Sequence, residues 1–210
     1  MKTIYLIRHS APFVKIDNYR DYENVNWEEY NKNMILSVAG EENAKKLCEL
    51  KELQDIDEIF SSDSCRAIGT AKYIAELNKL DIGLDPRINE RNIGINKIAE
   101  LPVGFAKLSL EDKKLKVGNG ESLEEVDKRF NTFLQEIVNN KRSKTAIVMH
   151  GMILLSYLKN ICDEFKYDGK IFDITYNNKK IIYGDFENPS VFKIEYDDKG
   201  QVINVQRVDL

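Results

Sequence analysis

Residues 2–12, Lys2-Thr3-Ile4-Tyr5-Leu6-Ile7-Arg8-His9-Ser10-Ala11-Pro12, pass from a β-branched and aromatic run to an abrupt polar stop. The run reads as a buried strand that opens into a loop. Further along, Ile56 to Phe60, Asp81 to Leu84 and Thr145 to Met149 repeat the strand signature. Between them the period changes to that of helices. From Ser37 onward, Val38, Ala44, Leu47, Leu50 and Leu53 fall on one face. Ser61-Ser62-Asp63 supplies capping residues for a helix through about Leu77. Glu121 to Asn139 carries an apolar stripe of Leu123, Val126, Phe130, Phe133, Leu134 and Ile137, and Gly151 to Ile161 is a very apolar helix.

Alternating strands and helices imply parallel βαβ units with helices on both faces of the sheet. Beyond residue 161 the pattern turns to four strands, Ile171–Thr175, Lys180–Phe186, Val191–Tyr196 and Val202–Val208, with turns at Asn177-Asn178 and Lys199-Gly200. These are expected to add antiparallel edges, and an open edge there offers a place for pairing. The expected fold is therefore α/β, three layers α/β/α with a mostly parallel central sheet, in one domain over 1–210. Residues 13–36 read as a long loop with one helical turn, and 86–120 as irregular with a short helix near Ser109 to Lys114.

The chain has 210 residues and a formal charge of -4, which argues against a general nucleic-acid binder. No apolar run approaches a membrane span, and the start of the sequence lacks the pattern of a signal peptide. Cys48, Cys65 and Cys162 are odd in number and widely spaced, so they form neither a disulfide framework nor a metal site, and a cytoplasmic setting follows. Cys65 reads as a packed small hydrophobe.

Only two histidines occur, His9 and His150, and both sit where a strand ends. In open α/β sheets, ligands bind beyond the carboxyl ends of the strands. Arg8 and His9 follow the first strand, Ser62 and Arg66 the second and Glu90 the third, and His150 with Gly151 follows Thr145 to Met149. Two guanidinium forks and two helix starts make a trap for a dianion such as phosphate. A neutral imidazole there can attack phosphorus, and a carboxyl group can protonate the leaving oxygen and then activate water. The scheme needs no metal and no cofactor. Spacing leaves open which histidine attacks.

Several stretches resemble the histidine phosphatase superfamily, in the branch that includes cofactor-dependent phosphoglycerate mutases. Leu6-Ile7-Arg8-His9-Ser10 resembles its Arg-His-Gly signature, and Leu36 to Ala44 its Leu-Thr-x-x-Gly-x-x-Gln-Ala helix start. Ser61 to Ala71 resembles its second arginine motif, and Ile88-Asn89-Glu90 with Gly94 the segment that carries its acid. Gly120-Glu121-Ser122, Val148-Met149-His150-Gly151 and Asn188-Pro189-Ser190 resemble later motifs in the same order. The resemblance implies a phosphoglycerate mutase-like fold, with His9 as the phosphorylated nucleophile. It implies Arg8, Arg66 and His150 in the phosphate pocket and Glu90 as general acid and base, with Ser10 and Gly151 also at the bound phosphate.

The departures are Ser10 in place of the usual glycine, Lys15 in place of an asparagine, and no Trp-Glu-Gly element after Glu90. The basic tract that mutases use for a second phosphate is not recognisable in 98–120. Hydrolysis of a small phosphorylated metabolite is thus the expected activity, with 11–35 and 95–118 as variable loops over the site. The alternatives are a phosphoglycerate mutase-type phosphotransferase and a weakly catalytic phospho-ligand binder. The expected partner is the substrate alone, with no nucleic acid and no membrane.

Overall fold

A computed structural model describes residues 1–14, 26–97 and 100–210. The chain begins with β1 (Lys2–Arg8), α1 (Trp27–Asn33), α2 (Val38–Lys46), β2 (Glu58–Ser61), α3 (Cys65–Asn78) and β3 (Ile82–Leu84). It continues through α4 (Phe105–Glu111), α5 (Leu123–Asn139), β4 (Lys144–Met149) and α6 (Gly151–Ile161). It ends with β5 (Glu164–Tyr167), β6 (Phe172–Tyr176), β7 (Lys179–Gly184), β8 (Ser190–Tyr196) and β9 (Val202–Val208).

Six strands form the central sheet in the order β3-β2-β4-β1-β8-β9. β1, β2, β3 and β4 run parallel, whereas β8 and β9 join as antiparallel strands at the far edge. The apolar run of β1 serves both faces of this sheet. Ile4 and Leu6 join Ile147, Met149, Phe192 and Ile194 in a core that packs under α5 and α6. Tyr5 and Ile7 join Ala146, Val148 and Val191 under α3, whose Ala67, Ala71 and Ala75 allow close approach. Two cores divided by the pleat of one sheet are the three layers expected.

Several boundaries differ from the sequence reading. The helix from Ser37 stops at Lys46, and two short 3₁₀ turns, Leu47–Glu49 and Lys51–Leu53, carry the chain onward. Leu50 between them is extended, which breaks the helix while Leu47 and Leu53 stay buried, and Val38 is 80% exposed. α3 starts after Ser64, because the hydroxyls of Ser62 and Ser64 turn to His150 instead of capping. α5 starts two residues later than expected, at a capping box of Ser122 and Glu125. α4 lies at Phe105–Glu111, led in by Gly104 in the left-handed region. Cys65 is exposed, not packed.

The C-terminal strands divide. β6 and β7 do not edge the main sheet but form a separate three-stranded antiparallel sheet with β5, a strand the sequence reading missed. Asn177 and Asn178 both take positive φ, the geometry of a tight two-residue hairpin, so this pair closes on itself. α1 replaces the single helical turn expected in 13–36, and Lys15 lies outside the described residues.

Candidate active site

Register brings the distant motifs together. Arg8 pairs with Met149 and Ser61 with Val148, so β1, β2 and β4 end level with one another. The His9 amide then donates to the Met149 carbonyl at 2.9 Å and the Ser62 amide to the Val148 carbonyl at 3.1 Å. The two imidazoles meet edge to face with centroids 5.1 Å apart.

Arg66, in the first turn of α3 and 3% exposed, ties them together. Its Nε donates to His9 Nε2 and its Nη2 to His150 Nδ1, each at 3.0 Å, and its Nη1 donates to the Asn31 carbonyl of α1. An arginine has only donors, so the two ring nitrogens facing it are acceptors. His9 must therefore carry its proton on Nδ1, donated to the Ser10 carbonyl at 2.7 Å. His150 carries its proton on Nε2, donated to Ser62 Oγ at 2.6 Å. The Nε2 lone pair of His9 thereby points at the guanidinium and accepts from its Nε.

Both rings are neutral near pH 7. Burial, reinforced by Arg66 and Arg8, pushes the His9 pKa down to about 3. Burial together with Arg66 and His9 holds His150 well below the ordinary range. Arg8 and Arg66 are also lowered by burial and supported by Glu90, yet an arginine keeps its charge at any working pH. The fixed positive charge of the centre is therefore that of the two guanidiniums.

Arg8 is held from the far side. Its Nη1 donates to the Phe186 carbonyl, and its guanidinium lies 4.5 Å from the Phe186 ring centroid. Its Nε is buried with no partner, beside the start of α6, where a Cβ on Gly151 would come within 3.3 Å of it. Glu90 reaches the same helix start, accepting from the Met152 amide at 3.2 Å and from the Arg91 amide at 2.9 Å. A carboxylate at a helix N-terminus is favoured by the helix dipole.

Ser10, expected at the phosphate, turns its buried hydroxyl to the Gly40 carbonyl at 2.7 Å, and its amide donates to Thr70 Oγ1 at 2.9 Å. A buried hydroxyl needs a partner, and Gly40 supplies it. Ser10 thus fixes the loop that orients His9.

A cleft of about 380 Å³ leads to Arg66 and His150 and is lined by Trp27, Lys32, Asp63, Asn89, Glu90 and Arg129, among others. Arg91, also in its lining, donates to Ser109 Oγ and to the Leu115 carbonyl. The sequence reading missed three supports: Ser62 as the partner of His150, the Asn31 carbonyl on Arg66, and the Arg129–Glu121 pair of the cleft wall. Ser62 had a signal in its place at a strand end and Glu121 in Gly120-Glu121-Ser122, whereas the Asn31 carbonyl had none. Among the described residues no group of His, Cys, Asp and Glu is placed to hold a metal ion, and no helix is long and apolar enough to cross a membrane.

The structure is that of an α/β protein with two imidazoles, two guanidiniums and Glu90 gathered at the carboxyl end of a mostly parallel sheet. The chain belongs to the histidine phosphatase superfamily (branch 1), whose family model matches residues 4–207.

Among curated relatives, it is 28% identical over 57% of its length to a probable phosphoglycerate mutase GpmB of an Enterobacter species. It is 31% identical over 54% of its length to phosphoserine phosphatase 1 of Hydrogenobacter thermophilus. The chain spans about three fifths of the length of these relatives, 59% and 57%. In fold, it is similar to a mycobacterial glucosyl-3-phosphoglycerate phosphatase solved with inorganic phosphate, with a TM-score of 0.69, 17% identity and coverage of 100% and 96% of the two chains. It is also similar to YhfR of Bacillus stearothermophilus, with a TM-score of 0.69, 21% identity and coverage of 97% and 95%.

Proposed function

We propose that the protein hydrolyses phosphate monoesters of a small metabolite through a phosphohistidine at His9. The observation that carries this is the tautomer of His9, fixed by Arg66 on one ring nitrogen and the Ser10 carbonyl on the other. The lone pair of Nε2 attacks phosphorus as the ester P–O bond breaks, and protonated Glu90 gives its proton to the leaving oxygen. Glu90, now a carboxylate, takes a proton from water, whose oxygen attacks the phosphohistidine and breaks the N–P bond. Arg8, Arg66, His150 and the Gly151 end of α6 hold the phosphoryl oxygens throughout.

The family match over 4–207 supports reading the chain as one catalytic domain. We place it in the cytoplasm, a reading supported by its three free cysteines.

Incubation with p-nitrophenyl phosphate in EDTA should release phosphate, and His9→Ala should abolish release; activity that survives in the variant overturns the assignment. Relatives named for phosphoglycerate mutase favour a second reading, phosphoryl transfer. It requires a bisphosphate primer and isomerises a monophosphoglycerate instead of hydrolysing it, so assays with and without primer separate the two.

A further inference from the structure

The cleft in front of Arg66 holds three more cations, and each is already engaged. Lys32 pairs with Asp63 at 2.8 Å. Arg129 is bound to both oxygens of Glu121, at 2.7 and 3.0 Å, and to the Arg87 carbonyl at 2.7 Å. Arg91, 4% exposed, donates to the Glu121 carbonyl, Ser109 Oγ and the Leu115 carbonyl, with its guanidinium 4.6 Å from the Phe105 ring centroid. Against these stand the carboxylates of Glu28, Asp63, Glu90 and Glu121. Glu28 sits on the exposed side of α1 beside Trp27 and makes no ion pair among the described residues.

A second anionic group on the substrate would thus find no described cation free past Arg8 and Arg66. It would compete with Asp63 for Lys32, with Glu121 for Arg129 or with the carbonyls around buried Arg91, and it would approach the exposed Glu28 carboxylate. A cationic group would meet the Glu28 carboxylate and an aromatic neighbour, a combination that favours ammonium.

We propose that the cleft selects phosphate esters whose alcohol is neutral or positively charged and discriminates against esters that carry a second anion. This rests on the reading of the same site as a phosphate monoester site.

Three two-carbon probes differ only in that charge: O-phosphoethanolamine, ethylene glycol monophosphate and 2-phosphoglycolate. Titration calorimetry on the turnover-deficient His9→Asn protein at pH 7 should give a Kd for phosphoglycolate about tenfold or more above that of the glycol ester. Phosphoethanolamine should bind at least as tightly as the glycol ester. Equal Kd values, tighter phosphoglycolate, or no binding of the neutral and cationic esters overturns the proposal. Asp63→Asn in the otherwise native chain frees Lys32, and the inhibition constants of the probes should then converge about threefold; an unchanged gap counts against it. Loss of nitrophenyl phosphate turnover in the native chain, with the Kd order intact, would instead remove the hydrolase reading and leave the charge rule standing.

Discussion

Arg66 Nε lies 3.0 Å from His9 Nε2, so the group that orients the proposed nucleophile also covers the atom that would react. With Nη2 on His150 and Nη1 on the Asn31 carbonyl, each of the three guanidinium nitrogens already donates one hydrogen bond, which leaves two of the five N–H groups for an incoming phosphate oxygen. A lysine cannot span two imidazoles and a carbonyl from one point charge. Arg66→Lys should lower kcat/KM on nitrophenyl phosphate by about 100-fold, the scale of a lost transition-state donor. A drop of less than threefold would show that the fork is dispensable.

Glu90 touches the start of α6 through Met152, which holds it beside the phosphate seat without consuming both its oxygens on one partner. Replacing it by glutamine keeps the shape and removes the transferable proton. Glu90→Gln should reduce turnover of alkyl phosphates by about 100-fold or more, within the range for a general acid, and nitrophenyl phosphate far less in the first step. Equal losses on the two substrates would remove Glu90 from the role of acid.

Acid should unfold this protein earlier than its carboxylates alone would require. An unfolded histidine protonates near 6.5, whereas folded His9 does so only near 3 and folded His150 lies well below its ordinary value. Between those values the unfolded chain binds more protons, so stability rises with pH and is lost as pH falls below about 6.5. Each imidazole contributes a slope approaching 1.4 kcal/mol per pH unit. No other histidines exist to blur the window between pH 6.5 and 5. Urea midpoints should fall through that window in the native chain and flatten in His9→Asn and His150→Asn; a native midpoint that stays constant to pH 5 contradicts the buried neutral rings.

Gly40 supports the nucleophile from a distance. A Cβ there would lie 2.0 Å from the Ala11 carbonyl oxygen, and the Gly40 carbonyl is the acceptor for Ser10 Oγ. Gly40→Ala must push the 10–12 turn aside and with it the carbonyl that orients His9. It should cost about 1–3 kcal/mol, the usual range for overpacking, and lower kcat/KM as well. Gly69→Ala meets only the Leu36 side chain, at 3.2 Å, and should lower Tm less. The reverse order in Tm would mean that the turn yields freely.

How much of this was legible beforehand follows from what sequence patterns encode. β1 and β4 were clear because strands covered on both faces are apolar without alternation, and α6 because its apolar residues run all round. The strand ends that carry Arg8, His9 and His150 followed directly. Alternation in β6 and the Ile181-Ile182 pair of β7 gave strands but not their sheet, since such short apolar patterns suit any half-covered edge. Ser62 read as a capping residue, and only packing against His150 turned its hydroxyl to the imidazole. The Asn31 carbonyl on Arg66 had no signature at all, because every residue carries that group.

The Phe186 ring and carbonyl, just beyond β7, grip Arg8 from outside the central sheet. The carboxyl end of the central sheet thus borrows part of its scaffolding from the peripheral hairpin module. Under the proposed function, divergence in that module would retune the seat of Arg8 while His9 and its neighbours stay untouched, giving related chains a route to new substrate appetites.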